Sequence, residues 1–135
     1  MVKDDTMINV QIKTLRDLEW GHYIIAITRG PVDIEGFSYI FDRLVEETKL
    51  LLECKILIDL QDSTFRFLPS EVTKFVETID PQAWPHNNRV ALVFSPATGP
   101  YQQLVMLAES LIKRNLRFTV FYDTKEAIGW LSDTD

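Results

Sequence analysis

Hydrophobic residues change their spacing several times along this chain, and each change marks an element. Val10, Ile12 and Leu15 alternate in part with Gln11, Lys13 and Thr14, the period of a strand with one wet face. Gly21 punctuates the chain. Tyr23 to Thr28, with Ile24, Ile25 and Ile27, is then a short β-branched run typical of a buried strand. Two strands in succession predict a hairpin. After Gly30-Pro31 the spacing changes to three and four: Phe37, Ile40, Phe41, Leu44, Val45, Thr48, Leu51 and Leu52 share one helical face. Asp42, Arg43, Glu46, Glu47 and Lys49 share the other. Asp33 is placed to cap this helix.

Lys55 to Leu60 reads as the third strand, followed by a loop. Pro69 opens a helix whose apolar set is Val72, Phe75, Val76 and Ile79, and Asp80-Pro81 ends it. Gln82 to Asn88 reads as a loop holding Trp84, Pro85 and His86. Val90 to Phe94 is a fourth strand. Gly99-Pro100 leads into a helix with Leu104, Leu107, Ala108, Leu111 and Ile112 on one face. Arg117 to Tyr122 is a fifth strand, and Asp123 or Thr124 caps a last helix through Ala127, Ile128 and Leu131. The order β-β-α-β-α-β-α-β-α defines an α/β fold with a single-layer core. Its five-stranded sheet is mostly parallel, with the first strand antiparallel at the edge. A doubly wound sheet is the generic form of such an order.

Composition narrows the function classes. At 135 residues the chain is the size of one domain, read as spanning 1–135 with a polar tail over 1–7. Fourteen basic against twenty acidic residues give a net charge of −6, which argues against nucleic acid or an anionic membrane as the main partner. Lys113, Arg114 and Arg117 cluster where a helix ends, and cations there complement its dipole. Cys54 is the only cysteine and reads as a small buried hydrophobe, so neither a disulfide nor a zinc site is expected. Met1 to Met7 carries no apolar signal core, and no apolar run approaches the roughly 20 residues of a membrane span. A cytoplasmic protein without cofactor or metal is the expectation.

The runs Tyr23-Ile24-Ile25-Ala26-Ile27-Thr28 and Lys55-Ile56-Leu57-Ile58-Asp59-Leu60, with the ending Phe121 to Leu131, resemble the STAS domain. The likeness is closest to the small SpoIIAA-like (STAS/SEC14-type) bacterial proteins and covers roughly Ile8 to Ser132. It implies helices packed on a sheet, no metal and no chemistry of its own. STAS domains that antagonise anti-sigma factors carry a phosphorylatable serine at the start of the helix after the third strand. Here that position falls near Leu68 or Pro69, neither of which accepts phosphate, although Ser63, Thr64 and Ser70 are close by. The resemblance thus implies a binding module without that phosphoserine switch.

Two sets of candidate site residues follow. Phe65, Phe67 and Leu68 put three large apolar side chains in one expected loop, each worth roughly 2 kcal/mol when buried. They either cap the core or line a surface for a protein partner or small hydrophobic molecule. Ser70 joins them on the face that regulates STAS domains. Tyr101, Val105 and Met106 add an apolar shoulder to the fourth-strand helix, as an interface with a partner or a second copy of the chain would. The rival reading is a small hydrolase or transferase at the carboxyl ends of the strands. It would use Asp59, Ser63, Ser95, Thr98 and Asp123, with His86 as a base. No Gly-x-Ser-x-Gly or P-loop motif occurs, and the second strand ends in Thr28-Arg29-Gly30 rather than the acidic pair of a receiver domain.

Overall fold

The computed structural model describes residues 9–17, 21–48, 55–79, 89–95, 101–114 and 116–132. Five strands and four helices follow the expected order: β1 (Asn9–Asp17), β2 (Gly21–Asp33), α1 (Ile34–Thr48), β3 (Lys55–Arg66), α2 (Pro69–Thr78), β4 (Arg89–Val93), α3 (Tyr101–Lys113), β5 (Arg117–Phe121) and α4 (Thr124–Ser132). The strands lie side by side in chain order. β1 is antiparallel to β2, and β2 to β5 run parallel.

That order decides where the helices go. Every parallel crossover steps the same way across the sheet, and right-handed crossovers then put all connecting helices on one face. Accordingly α1, α2 and α3 share one core with Ile24, Ala26, Ile56, Ile58, Val90, Leu92 and Phe118. The alternate strand residues Leu57, Ala91 and Val93 meet α4 through Ala127 and Leu131 on the opposite face. Arg89 ties this second layer down. Its guanidinium donates to the Trp130 carbonyl at 2.6 Å, near the end of α4, and lies 5.4 Å from the Trp130 ring centre. The sheet is therefore wound in one direction rather than doubly. It has no point where strand order reverses, which is where open α/β sheets form their usual ligand crevice.

The main departure from expectation is the length of β2 and β3. Both continue past the points where the sequence pattern stops, Thr28 and Leu60. Arg29 to Asp33 pairs in parallel with Asp62 to Arg66, forming a ribbon that reaches beyond β4, whose pairing ends at Asp59↔Val93. A β-bulge joins ribbon to sheet. The register steps from Ile27↔Asp59 to Arg29↔Asp62, giving β3 one extra residue. The Asp59 carboxylate steadies the bulge by accepting from the Gln61 N–H at 3.0 Å. Beyond it, Arg29 stands opposite Asp62 and Asp33 opposite Arg66, two cross-strand pairs of opposite charge.

Gly30-Pro31, after which the hydrophobic spacing changes, lies inside β2. Gly30 sits at φ +85°, a conformation L side chains rarely adopt. Among the described residues β1 reaches only Arg29, so the missing N–H of Pro31 falls where β2 pairs with β3 alone. A Cβ at position 30 would meet nothing within 4 Å. Gly30→Ala is thus expected to cost about 1–2 kcal/mol by backbone strain alone, read as a lowered denaturation midpoint with unchanged slope. Asp33 caps α1 as the sequence predicts, its carboxylate accepting from Gly36 N–H at 2.8 Å.

Candidate functional site

The ribbon and the start of α2 form one corner at the carboxyl end of β3. Six residues there, Phe67 to Val72, follow the rules for starting a helix almost completely. Phe67 and Val72 hold the two positions of a hydrophobic staple, and both are in the main core. Pro69 occupies the first turn, where its missing N–H costs nothing. Glu71 supplies the returning half of a capping box, its carboxylate accepting from Leu68 N–H at 2.8 Å. The exception is the N-cap, Leu68. Leucine has no acceptor to offer the first-turn N–H groups, and it is among the poorest residues at this position. Its side chain is 62% exposed, so it gives the core little in return.

The apolar trio of the expected loop therefore separates. Phe65 is in β3, opposite Val32, and its side chain lies outside the described residues. Phe67 is 3% exposed and meets Phe37 edge-on with ring centres 5.7 Å apart, in a cluster that continues to Phe41 and Phe75. Its ring is core, so the idea that it lines a contact surface is corrected. Leu68 and Ser70 are exposed. On α3, Val105 is half-buried and Met106 packs against the core, while the side chain of Tyr101 lies outside the described residues.

The polar rim residues are occupied locally. Asp59 holds the bulge. Ser63 is fully buried and hydrogen-bonds the equally buried Thr28 hydroxyl, so its placement on an open rim is also corrected; the parity change at the bulge turned it inward. Asp123 caps α4, accepting from Lys125 N–H at 3.0 Å. Ser95 is half-buried after β4, and Thr98 and His86 lie outside the described residues. No group of three or more His, Cys, Asp or Glu side chains that could hold a metal occurs among the described residues.

The Thr28–Ser63 pair has a measurable consequence. Thr28→Val or Ser63→Ala alone leaves one hydroxyl buried without this partner and is expected to cost about 1–3 kcal/mol. The double variant is expected to cost less than the sum of the two, a coupling that urea denaturation of all four proteins would resolve.

Arg114, one of the basic cluster at the end of α3, crosses to α2 and donates to the Ile79 carbonyl at 2.8 Å. It thereby satisfies a carbonyl at the C-terminus of α2.

With this geometry, a solved structure decides the fold. The chain superposes on an uncharacterized protein of the DUF3478 family with a SpoIIAA-like fold, from Shewanella loihica PV-4. The TM-score is 0.58 at 16% identity, covering 93% of this chain and 95% of that one. The fold is SpoIIAA-like. No protein-family model matches the sequence, and no curated protein matches it. No helix among the described residues is long and apolar enough to cross a membrane.

Within the SpoIIAA-like frame, Leu68 is the N-cap of the helix that follows the third strand. A sequence signal for Leu68 exists: the helix start Phe67 to Val72 keeps every position but the N-cap, which is apolar.

Proposed function

We propose that this chain is a regulatory binding module that engages a protein partner, with Leu68 as the central contact and Ser70 beside it. One observation carries the reading. An exposed leucine holds an N-cap where serine, threonine, aspartate or asparagine would serve the fold better. A residue that breaks a local rule without benefit to the fold is expected at a working surface. The resemblance to STAS domains supports the same corner, since their regulated contact surrounds the start of this helix. With Leu68 and Pro69 near the position of the phosphorylatable serine, the proposed engagement is not gated by phosphate there.

The hydrolase or transferase alternative is less supported. Three of its described members, Asp59, Ser63 and Asp123, are each committed to a bulge, a buried hydrogen bond or a helix cap. A small apolar ligand loses one of its wall residues, because Phe67 is taken up by the core.

The test uses the native chain and Leu68→Ser as paired baits, with captured material identified by mass spectrometry. A protein held by the native chain and released by Leu68→Ser, with the variant's circular dichroism unchanged, is the expected result. The same proteins on both baits overturn the assignment, and a bound small molecule in place of a protein overturns the partner class.

A further inference from the structure

The two faces of the sheet are covered unequally. α1, α2 and α3 fill one face. On the other, α4 is the one helix among the described residues, and it lies across β3, β4 and β5. β1 and β2 continue past it. The strip they leave is two strands wide, about 10 Å at the usual strand spacing, which is the width of one helix.

Register places the residues of this strip. Ile25 packs with the Leu57 cluster on the α4 face, and Ile27, two residues on, shares that face. Lys13 and Gln11 of β1 stand opposite them. Ile25 and Ile27 are half-buried, while Lys13 and Gln11 are exposed. The flank of α4 supplies a wall. Trp130 reaches toward β5, its ring centre 5.8 Å from that of Phe121. Helical spacing then turns Ile128 to the opposite flank, toward β2, with Lys125 one turn away on its outer side. Ile128 is half-buried and Lys125 is exposed. Asp59, held by the Gln61 N–H, marks the bulge end of the strip.

The result is a groove that is apolar along its floor and one wall, with a lysine on each rim. Lys125 lies in the first turn of α4, where the helix dipole favours anions, so a cation there works against the fold. We propose that this groove receives an amphipathic helix from a partner protein, with acidic residues on both borders of its apolar stripe. The width fits one helix. The floor and wall take apolar side chains spaced at i, i+3 or i+4 and i+7, and the two lysines set the sign of the borders. The site is on the sheet face away from α1, α2 and α3, so it is independent of Leu68 at the start of α2.

The probes are two fluorescent peptides of about four helical turns, each with a leucine stripe, one bordered by glutamate and the other by lysine. Fluorescence anisotropy with the full chain is expected to show the glutamate peptide binding at least tenfold tighter than the lysine peptide. Lys13→Glu combined with Lys125→Glu is expected to reverse that preference, which a general loss of structure would not do. Leu68→Ser is expected to bind the glutamate peptide as the native chain does. Methyl NMR signals of Ile25, Ile27 and Ile128 are expected to shift as that peptide is added. No saturable binding of the glutamate peptide up to about 1 mM overturns the proposal. Equal affinity for the two peptides, an unchanged preference in the double variant, loss of binding in Leu68→Ser, or shifts that miss these three isoleucines overturn it as well.

Discussion

Phe67→Ala is expected to cost about 3–5 kcal/mol of folding stability, the largest effect among single substitutions considered for this corner. The ring is 3% exposed and packs edge-on against Phe37. Phe37 in turn lies 5.1 Å from Phe41 and 5.7 Å from Phe75, centre to centre, and Phe41 stacks on Phe118 of β5. Removing Phe67 opens a void at one end of a chain of rings that links the junction between β3 and α2 to α1, α2 and β5. Little can move in to fill it, because the neighbouring rings are held by one another. A domain of this size has about 5–15 kcal/mol in total, so the variant would lose a large share of it. Thermal or urea unfolding measures the change. The adjacent Leu68→Ala is expected to stay within about 0.5 kcal/mol of native, because that side chain is largely in water. Two neighbouring apolar residues thus have opposite roles, and a cost below about 1 kcal/mol for Phe67→Ala would show that Phe67 is not core.

Leu68→Ser is expected to do two things in opposite directions. It completes the capping box with Glu71, whose carboxylate already accepts from the N–H of residue 68. The fold should gain about 0.5–1 kcal/mol, near the lower end of the capping range because Glu71 N–H already bonds the Leu68 carbonyl at 2.9 Å. Binding should fall by tenfold or more, since a well-buried leucine contact is worth about 1.5–3 kcal/mol and each 1.4 kcal/mol is tenfold in affinity. Stability rising while affinity falls separates a contact residue from a structural one. If stability falls instead, Leu68 supports the fold and its exposure has another cause.

Much of this fold is legible in the sequence. Apolar runs, partial alternation and three-to-four spacing predict the order of the described elements, Asp33 announces its cap, and Lys13 marks the wet face of β1. Three features are not legible, for physical reasons. Gly30-Pro31 and Gln61 to Thr64 are turn-like in isolation, yet they form a ribbon because each segment supplies the other's backbone partners and the bulge carries Ser63 inward against Thr28. Phe67 and Leu68 fall at a strand-to-helix junction, where neither period applies, so inside and outside could not be assigned by spacing. The winding of the sheet depends on strand order, which no local pattern encodes, and with it goes the absence of a reversal point. The candidate site was thus legible as a region, while the sorting of its residues required the packing.

The most direct test of the account is the dissociation constant of the captured partner for the native chain and for Leu68→Ser, measured side by side by titration calorimetry. The account predicts affinity at least tenfold weaker for Leu68→Ser, from a protein that unfolds at a higher urea concentration than the native one. Equal dissociation constants would contradict it and leave Leu68 without a role in binding.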